Sequence, residues 1–234
     1  MAVVATISVI VPVYDRSTHL LAEALDSILA QTVQPDEIIV VDDGSPEPVA
    51  PWIYDNFGDA VSAITTDHGG IGAARNAGVA ASSGSLLAFL DSDDLWVPNK
   101  LEWQLGYLEA DTDLEAVFGR AQQFHDSETT ESHRARYPIR HQIIDAWLST
   151  ALLIRAEAFQ RVGPFAQQSG AAVDIEWMLR ANDLRLRRRM HPEVVYRRRI
   201  HTSNISIEAA AETRTHMFQA VRDSLVRQRA DIRT

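Results

Sequence analysis

The 234-residue chain contains no cysteine. That excludes disulfide staples, thiolate metal sites and cysteine nucleophiles, and it fits a reducing compartment. No stretch approaches the roughly 18 continuous apolar residues of a membrane span. The apolar start, "MAVVATISVIVPVYD", lacks a basic leader and contains Pro12, so it reads as a buried strand and not as a secretory signal. Positive charge is scarce in the first 115 residues, which hold Arg16, Arg75 and Lys100 against 19 acidic side chains. Such a front half is a poor nucleic-acid surface, and any phosphate bound there needs a cation as a bridge. No Gly-x-x-x-x-Gly-Lys phosphate loop occurs anywhere. Residues 116–234 reverse the balance, with 19 basic groups against 13 acidic ones, so the net charge of -10 hides two halves of opposite sign.

What is present is globular. A chain that is 46% hydrophobic can bury a sizeable core, as one large domain or two fused lobes. "ISVIVPV" (7–13) and "EIIVV" (37–41) are apolar runs of strand length, as expected for strands buried on both faces. Strands are also expected at 61–65, 85–90, 115–119 and 151–155, and two more at 184–190 and 193–200. Helices are expected over 19–31, 48–57, 73–82, 99–110, 156–162 and 174–182. The tail from Glu208 onward places Met217, Val221 and Leu225 on one helical face. Residues 120–146 show no clear period and read as a loop or flap. Strands alternating with helices indicate an α/β fold with a largely parallel sheet. In such sheets ligands collect at the carboxyl ends of the strands, where Tyr14 and Asp15, Asp42 and Asp43, and Asp91 to Asp94 all fall.

"FLDSDDLW" (89–96) puts three aspartates into four positions. Carboxylates at i and i+2 in a turn suit a hard cation such as Mg²⁺ or Mn²⁺, yet Asp and Ser are also ordinary turn and cap residues. "GGIGAARNAG" (69–78) offers Gly-x-Gly before a helix, but Arg75 stands where a dinucleotide fold needs its third glycine. A hydride-transfer enzyme is therefore disfavoured. His201 in "YRRRIHTSN" and Asp174 in "VDIEWMLR" have bland readings of their own, as a lone histidine and as a helix-start acid. Arg185, Arg187, Arg188, Arg189, Arg197, Arg198 and Arg199 form either a solvated face or a contact for an anionic acceptor or membrane surface.

Taken together, "ISVIVPVYDRSTHLLAEALDSILAQTVQPDEIIVVDDGS" and "GIGAARNAGVAASSGSLLAFLDSDDLWVPNKL" resemble the N-terminal signatures of glycosyltransferase family 2. The likeness is strong over residues 6–110 and weaker to about 206. It implies a GT-A fold, a Rossmann-like, mostly parallel sheet flanked by helices with a smaller acceptor-side region. It also implies one domain over 1–234, with a nucleotide-sugar half (1–98), an acceptor and catalytic half (99–206) and a C-terminal amphipathic helix (207–234). By resemblance, Pro12, Tyr14, Asp43, Arg75, Asp91, Ser92 and Gly170 line the donor site, with Tyr14 stacking on the base and Asp43 accepting from its edge. Asp91, Asp93 and His201 would serve a divalent metal, and Asp174 would be the catalytic base. One position departs from the pattern, since Val173 stands where the family usually has Glu.

The expectation is an inverting, metal-dependent transferase moving a sugar from a UDP-linked donor to a saccharide, lipid-linked or protein acceptor. It would be cytoplasmic, with peripheral membrane contact through Arg185–Arg199 and no nucleic-acid partner. The rivals are a degenerate module that binds a nucleotide sugar without turning it over, and a sugar nucleotidyltransferase. The latter needs a glycine-rich basic loop after the first strand, and "VPVYDRSTH" supplies no glycine.

Overall fold

The structure, a computed structural model, describes residues 5–15, 18–126, 129–139, 141–167, 172–200 and 210–231, with side chains of 218–228 in the last segment. Four strands pair in parallel in the order β3-β2-β1-β4: β1 (Ile7–Val13), β2 (Glu37–Asp42), β3 (Ser62–Thr65) and β4 (Leu86–Phe89). The sheet continues through β8 (Leu153–Arg155), antiparallel to β4, and β6 (Ala116–Phe124), antiparallel to β8. β9 (Arg188–Arg199) then runs parallel to β6, and β5 (Leu95–Trp96) closes that side against β9. β7 (Ile143–Ala146) pairs with β6 beyond β8.

Helices α1 (Thr18–Leu29), α2 (Ala50–Phe57) and α4 (Lys100–Ala110) cover one face. Their Leu21, Leu25, Ile53 and Leu101 pack on Val9, Val11 and Val40. Helices α3 (Ile71–Ala81), α6 (Ala156–Val162) and α7 (Ala172–Asp183) cover the other, where Ala74, Phe159 and Trp177 meet Ile10, Phe89 and Phe118. β1 thus feeds alternate residues to two cores, which is why its sequence is apolar without alternation. Pro12 is tolerated inside this central strand for a local reason. Its nitrogen faces the β4 side, where the ladder stops: Leu90 N–H donates to Ile10 O, and the next bond, from position 12 to Leu90 O, is the one proline cannot make. The proline thus sits where β4 ends.

Three expectations need correction. The 120–146 flap contains the end of β6, the short helix α5 (Glu131–Arg136) and β7. The two strand-like runs at 184–190 and 193–200 are one strand, β9, starting at Arg188. Pro192 lies inside it, where register shifts between Phe118 and Ala121 of β6 absorb the missing donor. In α8 (Ala210–Asp231), Ala220 and Ser224 are buried while Val221 and Leu225 are half exposed. Asp183 at the end of α7 holds that helix by accepting from Ser224 Oγ, Arg227 Nε and Gln228 Nε2. The apolar face read from sequence therefore points away from the body, and Met217 lies outside the described side chains.

Candidate active site

The strand order reverses between β2 and β4 on either side of β1, so a crevice opens at their carboxyl ends. The two aspartates that end β2 have separate duties. Asp42 is fully buried and accepts from Ser45 N and Val49 N, closing the turn into α2. Asp43 accepts from Gly69 N at 2.9 Å and Gly70 N at 2.8 Å, placing a carboxylate at the entrance to α3, where the helix dipole favours it. His68 Nδ1 also lies 3.0 Å from Asp43 Oδ2. Gly44, at φ 74°, lets this turn close, because a Cβ there would fall 2.8 Å from the His68 nitrogen. Tyr14, 40% exposed just past β1, stacks on His68 with ring centroids 4.1 Å apart. His68 had no motif to mark it in the sequence.

Each polar or tight position of "GIGAARN" has a distinct job in α3. A Cβ on Gly72 would lie 2.0 Å from the Ala166 carbonyl, so only glycine admits that segment. Asn76 clasps the same segment by donating to Phe165 O at 2.8 Å and accepting from Phe165 N at 2.9 Å. Arg75 between them is fully buried and bridges two carboxylates. It donates to Asp91 Oδ1 at 2.6 Å and reaches Asp174 Oδ2 at 3.4 Å. Burial alone would lower its pKa, but Asp174 and Asp91 outweigh that and hold it above the ordinary arginine value. Asp174, in the first turn of α7, also accepts from Ser149 N at 2.9 Å. Val173 beside it is fully buried among Ala74, Phe89 and Trp177. A Glu there would bury an unpaired carboxylate, so the departure from the family pattern is a core substitution.

The acidic turn after β4 holds Asp91, a buried Ser92, Asp93 and a buried Asp94. Burial raises the Asp91 pKa; Arg75 pulls against this, while Asp93 and Asp174 add to it. Burial, then Asp93 and Asp91, push Asp94 well above the ordinary carboxylate range. Asp94 Oδ1 accepts from Arg199 N, tying the turn to β9. Crowded carboxylates with raised proton affinity suit a divalent cation, which takes one or two of them together with phosphates and water. Among the described residues no three His, Cys, Asp or Glu side chains gather closely enough to hold a cation alone. His201 and Gly170 lie outside the described residues.

The arginines of the second half are largely used within the fold. Arg187 pairs with Asp113 and Arg189 with Asp111. Arg188 lies over Trp147 and Arg197 over Phe124. Arg199 is buried between Glu23 and Asp126 and donates to Asp93 O. Among the described residues no helix is long and apolar enough to cross a membrane.

The family profile "Glycosyl transferase family 2" matches residues 8–168. An uncharacterized glycosyltransferase of Rickettsia prowazekii is 30% identical over 173 residues, which is 68% of this chain and 53% of that protein. The Escherichia coli UDP-Glc:alpha-D-GlcNAc-diphosphoundecaprenol beta-1,3-glucosyltransferase WfgD is 33% identical over 103 residues, 44% of this chain and 40% of that one. This chain thus spans about half the length, or less, of those relatives. Among solved structures, S. aureus TarS 1-349 in complex with UDP-GlcNAc superposes with a TM-score of 0.71 at 19% identity, covering 95% of this chain and 66% of TarS 1-349. The shared fold is the GT-A-like mixed sheet with flanking helices. The match over residues 8–168, with the strand-end site it encloses, establishes that the chain belongs to glycosyltransferase family 2.

Proposed function

We propose that the chain is an inverting glycosyltransferase that moves a sugar from a UDP-linked donor to an acceptor hydroxyl. The observation that supports this most is the position of Asp174, a carboxylate at a helix start fixed from two sides by Arg75 and the Ser149 N–H. A carboxylate has about four lone-pair sites, so an acceptor hydroxyl can still hydrogen-bond to it. In the reaction the hydroxyl oxygen bonds to sugar C1, its proton passes to Asp174, and the C1–oxygen bond to the diphosphate breaks with the electron pair leaving on the diphosphate. Attack from the face opposite the leaving group inverts the anomeric centre. Tyr14, backed by His68, would stack on the nucleobase, with Asp43 offering an acceptor to its edge.

Asp91 and Asp93 would hold the divalent cation, with His201 as the further ligand implied by the resemblance. Such a cation, when bound, stabilises negative charge on the departing diphosphate. Arg75 keeps Asp91 and Asp174 at a fixed separation, so donor site and base are set by one side chain. The UDP-GlcNAc in the TarS complex and the UDP-glucose named for WfgD favour uridine as the nucleoside. WfgD's name also makes a lipid-diphosphate sugar a reasonable first acceptor to try. A peripheral membrane contact through Arg185–Arg199 has weaker support, given the partners found for five of those arginines. The deciding experiment incubates the full chain with Mn²⁺, a panel of UDP-sugars and saccharide acceptors, and reads the product's anomeric proton by NMR. A β-linked product from an α-linked donor supports the reading. A retained configuration, or no UDP released with any pair, rejects it.

A further inference from the structure

The turn after β4 gathers three carboxylates, and the charge of Asp93 tightens the hold of both Asp91 and Asp94 on a proton. Like charges this close push such a turn open, so its shape has to be held from outside. Within the turn, Asp94 N donates to Asp91 O at 3.1 Å. Two buried arginines add the outer grips, one from α3 and one from β9. Arg75 takes Asp91. Arg199 takes the other end twice over: its backbone N–H donates to Asp94 Oδ1 and its Nε to Asp93 O, each at 2.9 Å.

The guanidinium is itself fixed. Nη2 donates to Glu23 in α1, Nη1 donates to Asp126 beyond β6, and its carbon lies 4.9 Å from the centre of the Phe124 ring. A fork tied at all three nitrogens cannot swing without breaking a charge-assisted bond. The bland reading is a clamp that only stabilises β9. Pairing with Glu23 and Asp126 would serve that purpose alone. Nε and the backbone N–H are instead directed at two successive residues of the acidic turn. Fixing the main chain at Asp93 leaves its carboxylate only two side-chain torsions, so less freedom is lost when a cation is taken up.

We propose that Arg199 is a positioning residue of the cation site, holding the main chain at Asp93 and Asp94 so that Asp93 is set as a ligand in advance. This rests on the reading of Asp93 as a metal ligand and extends it to a residue 106 positions away. Glu23 and Asp126 act on the site through Arg199, as the anchors of its guanidinium.

The test titrates Mn²⁺ into the full chain with UDP bound and follows bound manganese by its EPR spectrum, against a protein-free sample of Mn²⁺ and UDP. Arg199→Gln should weaken Mn²⁺ binding at least about tenfold, within the range typical of residues that orient metal ligands. Arg199→Lys keeps the charge but loses the fork, and should weaken it about fivefold. Glu23→Gln loosens the guanidinium without altering Arg199 or the turn, and should weaken it about threefold. Val162→Ala, a buried change in α6 on the other face of the sheet, should lower stability in urea yet leave Mn²⁺ affinity within about twofold. Arg199→Lys and Glu23→Gln read out even if Arg199→Gln does not fold. Unchanged Mn²⁺ affinity in the Arg199 variants, or an equal loss in Val162→Ala, overturns the positioning role and leaves the cation reading standing. UDP binding with no Mn²⁺ binding by the wild type overturns the cation reading and this role with it. Failure of UDP itself to bind would reject the nucleotide-sugar reading beneath both.

Discussion

Two parts of the molecule concentrate charge, and they treat it in opposite ways. At the ends of β1, β2 and β4, carboxylates crowd together, and Asp91 and Asp94 hold protons more tightly than isolated aspartates do. Along β9, four arginines, and Arg187 just before it, each find a carboxylate, a carbonyl or an aromatic ring within the fold. The first arrangement is costly unless a ligand completes it; the second finds most of its partners within the chain, the buried Nε of Arg188 being an exception. A run of like charges in a sequence therefore says little until its partners are known, and the unsatisfied run is the one that marks a site.

The sharpest way to test that contrast is at Asp174. Asp174→Asn keeps size and most hydrogen bonding but removes the proton acceptor, so transfer should fall by roughly 10²–10⁴-fold. UDP affinity, measured calorimetrically, should stay near the wild-type value, and normal turnover would place the base elsewhere. Next comes Arg199, buried against Glu23 and Asp126. Arg199→Ala strands both carboxylates and should destabilise the chain by about 2–4 kcal/mol in urea, on the low side because each remains about a third exposed. A loss comparable to a surface variant would show that β9 is not as complete as its contacts imply.

Lys100 is the only lysine, and it is fully buried beneath the 149–151 turn, where it donates to Gln104 Oε1 and, among the described residues, meets no carboxylate. Burial holds its pKa well below the ordinary value. Between its lowered folded-state value and the unfolded lysine value near ~10.4, the unfolded chain is the better proton binder, so this group makes stability rise with pH. The slope it adds is at most about 1.4 kcal/mol per pH unit. Lys100→Met should remove that component, and parallel stability curves for the two proteins would contradict it. The smallest effect is expected at Arg189, whose side chain is 60% exposed and 3.8 Å from Asp111. Arg189→Ala should cost under about 0.5 kcal/mol, and less in high salt.

The parallel half of the sheet was legible because its signals are local. β1, β2 and the acidic turn after β4 are short apolar runs ending on polar clusters, and α3 is marked by its small residues. The antiparallel half was less so. β9 reads as two runs because Pro192 interrupts it, and only the irregular register of β6 shows why one strand can pass through. Helix α5 and strand β7 have too few residues for a period to emerge. Asp174 could be singled out only through the family resemblance, its helix start alone being ordinary, whereas His68 enters the site through contact with Asp43, 25 positions away, which no spacing rule encodes. The arginines looked like a surface because sequence shows a charge but not its partner.

Asn76 and Arg75 are consecutive in α3, yet one grips Phe165 and the other Asp174. Phe165 and Asp174 are thus both moored to adjacent residues of one helix. Phe165 in turn packs on Trp177 of α7. Any displacement of α3 therefore carries the carboxylate and the ring under its helix along together, so Asp174 keeps its position relative to that core however the rest of the surface changes.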